Sequence, residues 1–212
     1  MKKPQTNYAF IDGPNLHRTM QEVGWDLDYQ RFRIYLSEHY DVGKAYYFIG
    51  YMPENTSLYT FLQSIGYVII FKPILKIPDG KVKGNCDAEL VLQAMIDLVS
   101  YEKALIVSSD GDFYCLVNYL REKNKLECVL APCKAGCSHL LDIASKGRVA
   151  YLDNLRGKFG GNWSLKRKTP CKDGTSQGVF RRDSIKRVTD FVELVNSCWF
   201  RMTVGCSGIP KP

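Results

Sequence analysis

What most constrains this chain is an alternation. Six short runs, YAFI (residues 8–11), AYYFIG (45–50), YVIIF (67–71), ALIVS (104–108), LECVLA (126–131) and VAYL (149–152), are rich in β-branched and aromatic residues and read as strands. Between them lie longer segments with helical spacing, at 29–39, 54–65, 87–100, 113–123 and 137–145. The third is the clearest, with Leu90, Val91, Ala94, Met95 and Leu98 at i, i+3/i+4 spacing. Strands that are apolar throughout must be buried on both faces, and intervening helices supply the cover. The expectation is an α/β fold, with a mostly parallel sheet of about five or six strands between helical layers over residues 7–152.

A chain of 212 residues can bury one sizeable core, as a single domain or a domain with an appendage. No apolar run is long enough to span a bilayer, so no membrane segment is expected. The start, MKKPQTNYAFIDG, goes straight into a strand-like run without an apolar signal core, and the expected location is the cytosol. Eight cysteines raise the question of disulfides, yet Cys86, Cys115 and Cys128 fall in or beside apolar segments, where a thiol behaves as a small hydrophobe. Reduced thiols are the expectation. Cys133, Cys137, His139 and Cys171 lack the paired C-x-x-C spacing of a zinc site.

The net charge of +7 is unevenly distributed. Residues 1–152 hold 17 basic and 17 acidic side chains, whereas residues 153–212 hold 12 against 5. From 153 to 183 the sequence is dense in Gly, Ser, Thr, Lys and Arg and reads as a basic flexible linker. Within residues 184–212, Ile185, Val188, Val192, Val195 and Trp199 fall near one helical face, so a short amphipathic helix is expected. The linker's Arg and Lys residues are interleaved with Phe159, Trp163 and Phe180, a combination of phosphate attraction and stacking surface that suits single-stranded nucleic acid. Such segments bind RNA and DNA alike. The amphipathic stretch leaves oligomeric state open, since it can pack on the body or meet another copy.

Four aspartates stand where an open parallel sheet gathers its reactive groups, at or beyond strand ends and at helix starts. Asp12 follows YAFI in FIDGPNLH, where Gly13 permits a tight turn and Pro14 suits a first helical turn. Asp110 follows LIVSS, Asp112 stands two residues on, and Asp87 opens the long amphipathic segment. Singly, each is accounted for by a turn, a helix cap or a dipole contact. Jointly, several carboxylates at one edge repel unless a cation neutralises them or a proton stays on. A hard divalent ion, Mg²⁺ or Mn²⁺, is the simplest resolution, because it binds through carboxylates and accepts substrate phosphate. Such a site suits phosphodiester hydrolysis. Asn15 and Ser109 are candidates to contact substrate; for Ser109, as for Ser108, a turn or cap role competes. Lys72, Lys76, Lys81 and Lys83 precede Asp87, and Lys134 follows the fifth strand; Lys83 and Lys134 are the candidate phosphate contacts.

Three stretches in order, YAFIDGPNL, KGNCDAELVLQAM and LIVSSDGDFYCLVNYLREK, resemble the NYN domain, a branch of the PIN-like nucleases, over roughly residues 7–152. The resemblance implies a PIN-like three-layer sandwich and metal-dependent ribonuclease activity. It places Asp12, Asp87, Asp110 and Asp112 at the acidic positions, as metal ligands and catalytic groups, and Asn15 at the polar position after the first. The first motif has Pro14 where relatives commonly have an acidic residue, and the second has Asn85-Cys86 where small or β-branched residues are usual.

Two other readings compete. One is a non-catalytic RNA-binding or regulatory module that keeps the fold and recruits RNA through the basic tail. The other is a phosphatase with an aspartate nucleophile after the first strand. That chemistry usually needs a second carboxylate two residues later, where this chain has Pro14.

Overall fold

The computed structural model describes residues 6–24, 26–73, 75–76, 82–83 and 86–155. Its strands and helices follow in the order β1 (Asn7–Asp12), α1 (Gly13–Glu22), α2 (Tyr29–His39), β2 (Val42–Gly50), α3 (Thr56–Ser64), β3 (Tyr67–Lys72), β4 (Leu75–Lys76), β5 (Val82–Lys83), α4 (Asp87–Ile96), β6 (Ala104–Val107), α5 (Tyr114–Glu122), β7 (Leu126–Ala131), α6 (His139–Ser145) and β8 (Val149–Tyr151). Six strands form one sheet in the order β3-β2-β1-β6-β7-β8, and every pairing in it is parallel. β4 and β5 make a separate antiparallel pair.

The sheet is buried on both faces, as unbroken apolar strands require. In β1, Ala9 and Ile11 join a core with Leu16 and Met20 of α1, Phe32 and Leu36 of α2, and Leu58 and Leu62 of α3. Phe10, between them, points the other way, into a core with Leu90 and Ala94 of α4, Leu116, Val117 and Leu120 of α5, and Leu141 of α6. The period-two alternation of a strand thus divides α1–α3 from α4–α6 and gives three layers.

The six main strands and five of the helices lie where the sequence pattern puts them, but α1 is additional. Pro14 marks its first turn, but its apolar spacing is only Leu16 and Met20, one turn apart, with Asn15, His17 and Thr19 buried among them, too short a pattern to count as a helix. The α4 helix stops at Ile96 rather than Ser100, with Asp97 as its last cap and a turn closed by Ser100 N–H donating to the Asp97 carbonyl at 2.8 Å. Among the described residues no helix is long and apolar enough to cross a membrane. Among the described residues, Cys86, Cys115, Cys128, Cys133 and Cys137 form no disulfide. Apart from residues 153–155, the basic linker and the C-terminal amphipathic segment lie outside the described residues.

Candidate metal centre

The strand order fixes where a site forms. β1 and β6 are parallel neighbours, but the chain runs from β1 out to β2 and β3 and from β6 out to β7 and β8. Connections leaving in opposite directions open a crevice at the carboxyl ends of the two central strands. Asp12 is the last residue of β1, and Ser108, Ser109 and Asp110 follow directly on β6.

Short polar links lace these two chain ends together. Asp12 caps α1, one oxygen accepting the Asn15 N–H at 3.2 Å, while the other accepts the Ser108 hydroxyl at 3.1 Å. The Ser108 hydroxyl oxygen in turn accepts the Asp110 N–H at 3.1 Å. The Asn15 side-chain carbonyl accepts both the N–H and the hydroxyl of Ser109, each at 2.9 Å. Asp110 caps the 3-10 turn Gly111–Phe113 by accepting the Asp112 N–H at 3.0 Å. The loop between β7 and α6 joins through Ser138 N–H, which donates to the Ser109 carbonyl at 3.0 Å. That approach requires Gly111: a Cβ there would lie 2.5 Å from the Ser138 hydroxyl oxygen. Gly13 is equally confined, since its Cβ would come within 2.6 Å of the Phe48 carbonyl oxygen.

Asp87, Asp110 and Asp112 converge. Each offers a carboxylate oxygen within 4.8 Å of the others; Asp87 and Asp110 are half-buried and Asp112 is exposed. Two such charges repel by roughly 1 kcal/mol in water and roughly 3 kcal/mol at the effective dielectric of a protein surface. All three are hard oxygen donors, from α4 and from the turn beyond β6, a donor set of the kind that hard divalent cations take.

Asp12 stands outside that triad. It is 6% exposed and both its oxygens are engaged. Its pKa is raised from 3.8 to about 7, first by burial and then by the Asp87 and Asp110 charges, against the lowering effect of the Asn15 and Ser108 hydrogen bonds. It therefore lies close enough to feel the charges of Asp87 and Asp110, as a buried carboxyl group held well above the usual carboxylate range. The adjoining Cys86 thiol is pushed up to about 12 by burial, then by Asp12 and Glu89.

The remaining candidates divide. Asn15 is buried and fixed by Ser109, while its NH₂ group has no hydrogen-bond partner among the described residues. The Ser109 hydroxyl is committed to Asn15, so this side chain holds the crevice together. Lys134 is exposed in the loop that carries Ser138, and its backbone N–H donates to Asp153 at 3.0 Å. Lys83 pairs through its backbone with Leu75, and its side chain lies outside the described residues, as do Lys76 and Lys81. Sequence reasoning overlooked Glu89, which pairs with Lys72 at 3.1 Å and sets a cation beside the acidic edge. The available signal was a second acidic residue in the first turn of α4.

The chain is 26% identical over 158 residues to the low amplitude and bright protein LabA of Synechococcus elongatus, covering 70% of this chain and 78% of that protein. Its fold matches the crystal structure of a protein of unknown function, VPA0982, from Vibrio parahaemolyticus, with a TM-score of 0.61 and 21% identity over 73% of this chain and 98% of the other. The family model that matches, over residues 8–146, is that of the NYN domain, and the chain belongs to the NYN domain family.

Proposed function

We propose that the chain is a divalent-metal-dependent ribonuclease that hydrolyses phosphodiester bonds of unstructured RNA at the crevice between β1 and β6. The observation that carries the reading is the convergence of Asp87, Asp110 and Asp112, from separate parts of the chain, to within 4.8 Å at the topological switch point. Membership of a PIN-like nuclease family supports it.

Asp87, Asp110 and Asp112 would hold Mg²⁺ or Mn²⁺, which when bound supplies charge neutralisation at the phosphate and a more acidic water. The protein's own contribution is preorganisation. Asp12, through Ser108, fixes the backbone N–H of Asp110 and thereby the direction of that carboxylate. Asn15 spends its carbonyl on Ser109 and keeps an NH₂ donor to offer a phosphate oxygen. Lys134, and Lys83 on the β4–β5 pair, are the proposed cationic contacts to the RNA backbone. The basic residues beyond 155 would add affinity that falls with salt and is blind to sequence.

The test is cleavage of an unstructured RNA by purified full-length protein. Cleavage should require Mn²⁺ or Mg²⁺, stop with chelator, and fall at least about a hundredfold in Asp110→Asn and Asp87→Asn. Cleavage that survives in both variants would assign the activity to a contaminant. Specific binding without cleavage in any metal would favour the non-catalytic reading, whose own support is the concentration of basic charge in residues 153–212.

A further inference from the structure

Beside the carboxylates stands a wall of another kind. Phe113, the last residue of the 3-10 turn, is fully buried, whereas Tyr114, which opens α5, is 51% exposed. In a 3-10 turn, residues three apart eclipse one another, so Tyr114 rises on the same side as Gly111, the residue between Asp110 and Asp112. On that side lies Leu140, whose Cδ1 is 3.6 Å from where a Gly111 Cβ would sit and which is itself 52% exposed. Ile143, three residues further along α6, is 60% exposed. The face of α5 that enters the core is made by Leu116, Val117 and Leu120, so Tyr114 is not among the residues that fill it.

An apolar, aromatic surface adjoining three carboxylates calls for a ligand that is itself divided, with flat apolar parts joined to anionic ones. Single-stranded RNA has that chemistry: phosphates for a cation that the three carboxylates would hold and for Lys134 in the adjoining loop, and bases whose π-faces stack on aromatic side chains. A paired helix would hide those faces in its own stack. Three partly exposed side chains also offer far less than the roughly 800 Å² that a stable protein interface takes from each partner.

We infer that Tyr114, backed by Leu140, stacks against a nucleobase next to the scissile phosphate and thereby selects unpaired RNA. The inference rests on the ribonuclease reading for the identity of its ligand. Its test does not require turnover. Tyr114→Ala and Tyr114→Phe are made in the full-length Asp110→Asn chain, so that the RNA stays intact, and fluorescence anisotropy follows binding of a labelled uridine dodecamer and of an abasic ribose-phosphate dodecamer.

Tyr114→Ala should weaken binding of the uridine oligomer about tenfold or more, and Tyr114→Phe by less than about twofold, because stacking needs the ring and not the hydroxyl. On the abasic oligomer the three proteins should bind alike, and the salt dependence should be the same for all, since no phosphate contact changes. Equal affinity of Tyr114→Ala and its parent for the uridine oligomer, an equal penalty on both oligomers, or a changed sedimentation mass without a changed affinity would each overturn the assignment. The two proposals fail separately: cleavage with no Tyr114 effect sinks the stacking wall alone, and a Tyr114 effect with no cleavage in any metal sinks the hydrolytic reading alone.

Discussion

In the metal-free protein, Asp12→Asn should gain stability relative to the parent as pH rises. The side chain is 6% exposed with both oxygens hydrogen-bonded; an amide of the same shape can still accept from Asn15 N–H, but its NH₂ group cannot accept the Ser108 hydroxyl, a loss of about 1–3 kcal/mol that is the same at every pH. The aspartate's folded pKa of about 7 stands above its ordinary 3.8, so between those values the folded state holds a proton that the unfolded state has lost. Stability therefore falls as pH rises from about 4 to about 7 and levels off above, the reverse of a salt-bridged carboxylate. At about 1.4 kcal/mol per pH unit, the ceiling on this penalty is about 4 kcal/mol at pH 8, of which somewhat more than half develops above about pH 5. Urea unfolding of both proteins in chelator at pH 5 and pH 8 measures it. The stability difference between Asp12→Asn and the parent should grow by about 2 kcal/mol in favour of the variant over that interval. A difference that stays flat, or moves against the variant, would refute the claim that Asp12 is held in the fold as a strained, half-protonated acid.

Other consequences follow from the same lacing. Asn15→Ala leaves the buried Ser109 N–H and hydroxyl without their acceptor, so it should lower stability by about 1–3 kcal/mol in urea unfolding and reduce cleavage as well. Gly13→Ala forces a Cβ against the Phe48 carbonyl and the Tyr47 ring and should cost about 1–3 kcal/mol by the same measurement. Removing residues 156–212 should weaken RNA binding and flatten its salt dependence while leaving the thermal midpoint of the NYN domain nearly unchanged; unchanged salt dependence would remove the tail from RNA binding.

The sheet was legible because parallel strands covered on both faces must be apolar at nearly every position, and these short runs are also rich in the β-branched and aromatic residues that strands favour. Only the start of the first helix was, at Pro14, because its apolar spacing is a single pair, Leu16 and Met20, with polar Asn15, His17 and Thr19 buried beside them. The end of α4 was misread for the opposite reason: Leu98 and Val99 continue the apolar spacing after the backbone has left the helix at Asp97, and Val99 is almost wholly exposed. At the site, the four aspartates could be found from their positions after strands and before helices, but spacing along the chain carries no depth. Nothing in FIDGPN says that Asp12 is buried and laced to Ser108 while Asp87, Asp110 and Asp112 face the crevice. Ser108, which looks like a turn residue, bridges Asp12 and the Asp110 backbone, a role that exists only once β1 and β6 are side by side.

Crystals of the full-length protein soaked in Mn²⁺ and measured for anomalous scattering would bear most directly on the whole account. It predicts a manganese peak bounded by Asp87, Asp110 and Asp112, absent from crystals of Asp110→Asn soaked in the same way. A wild-type crystal with no peak there, under conditions that support cleavage, would contradict it.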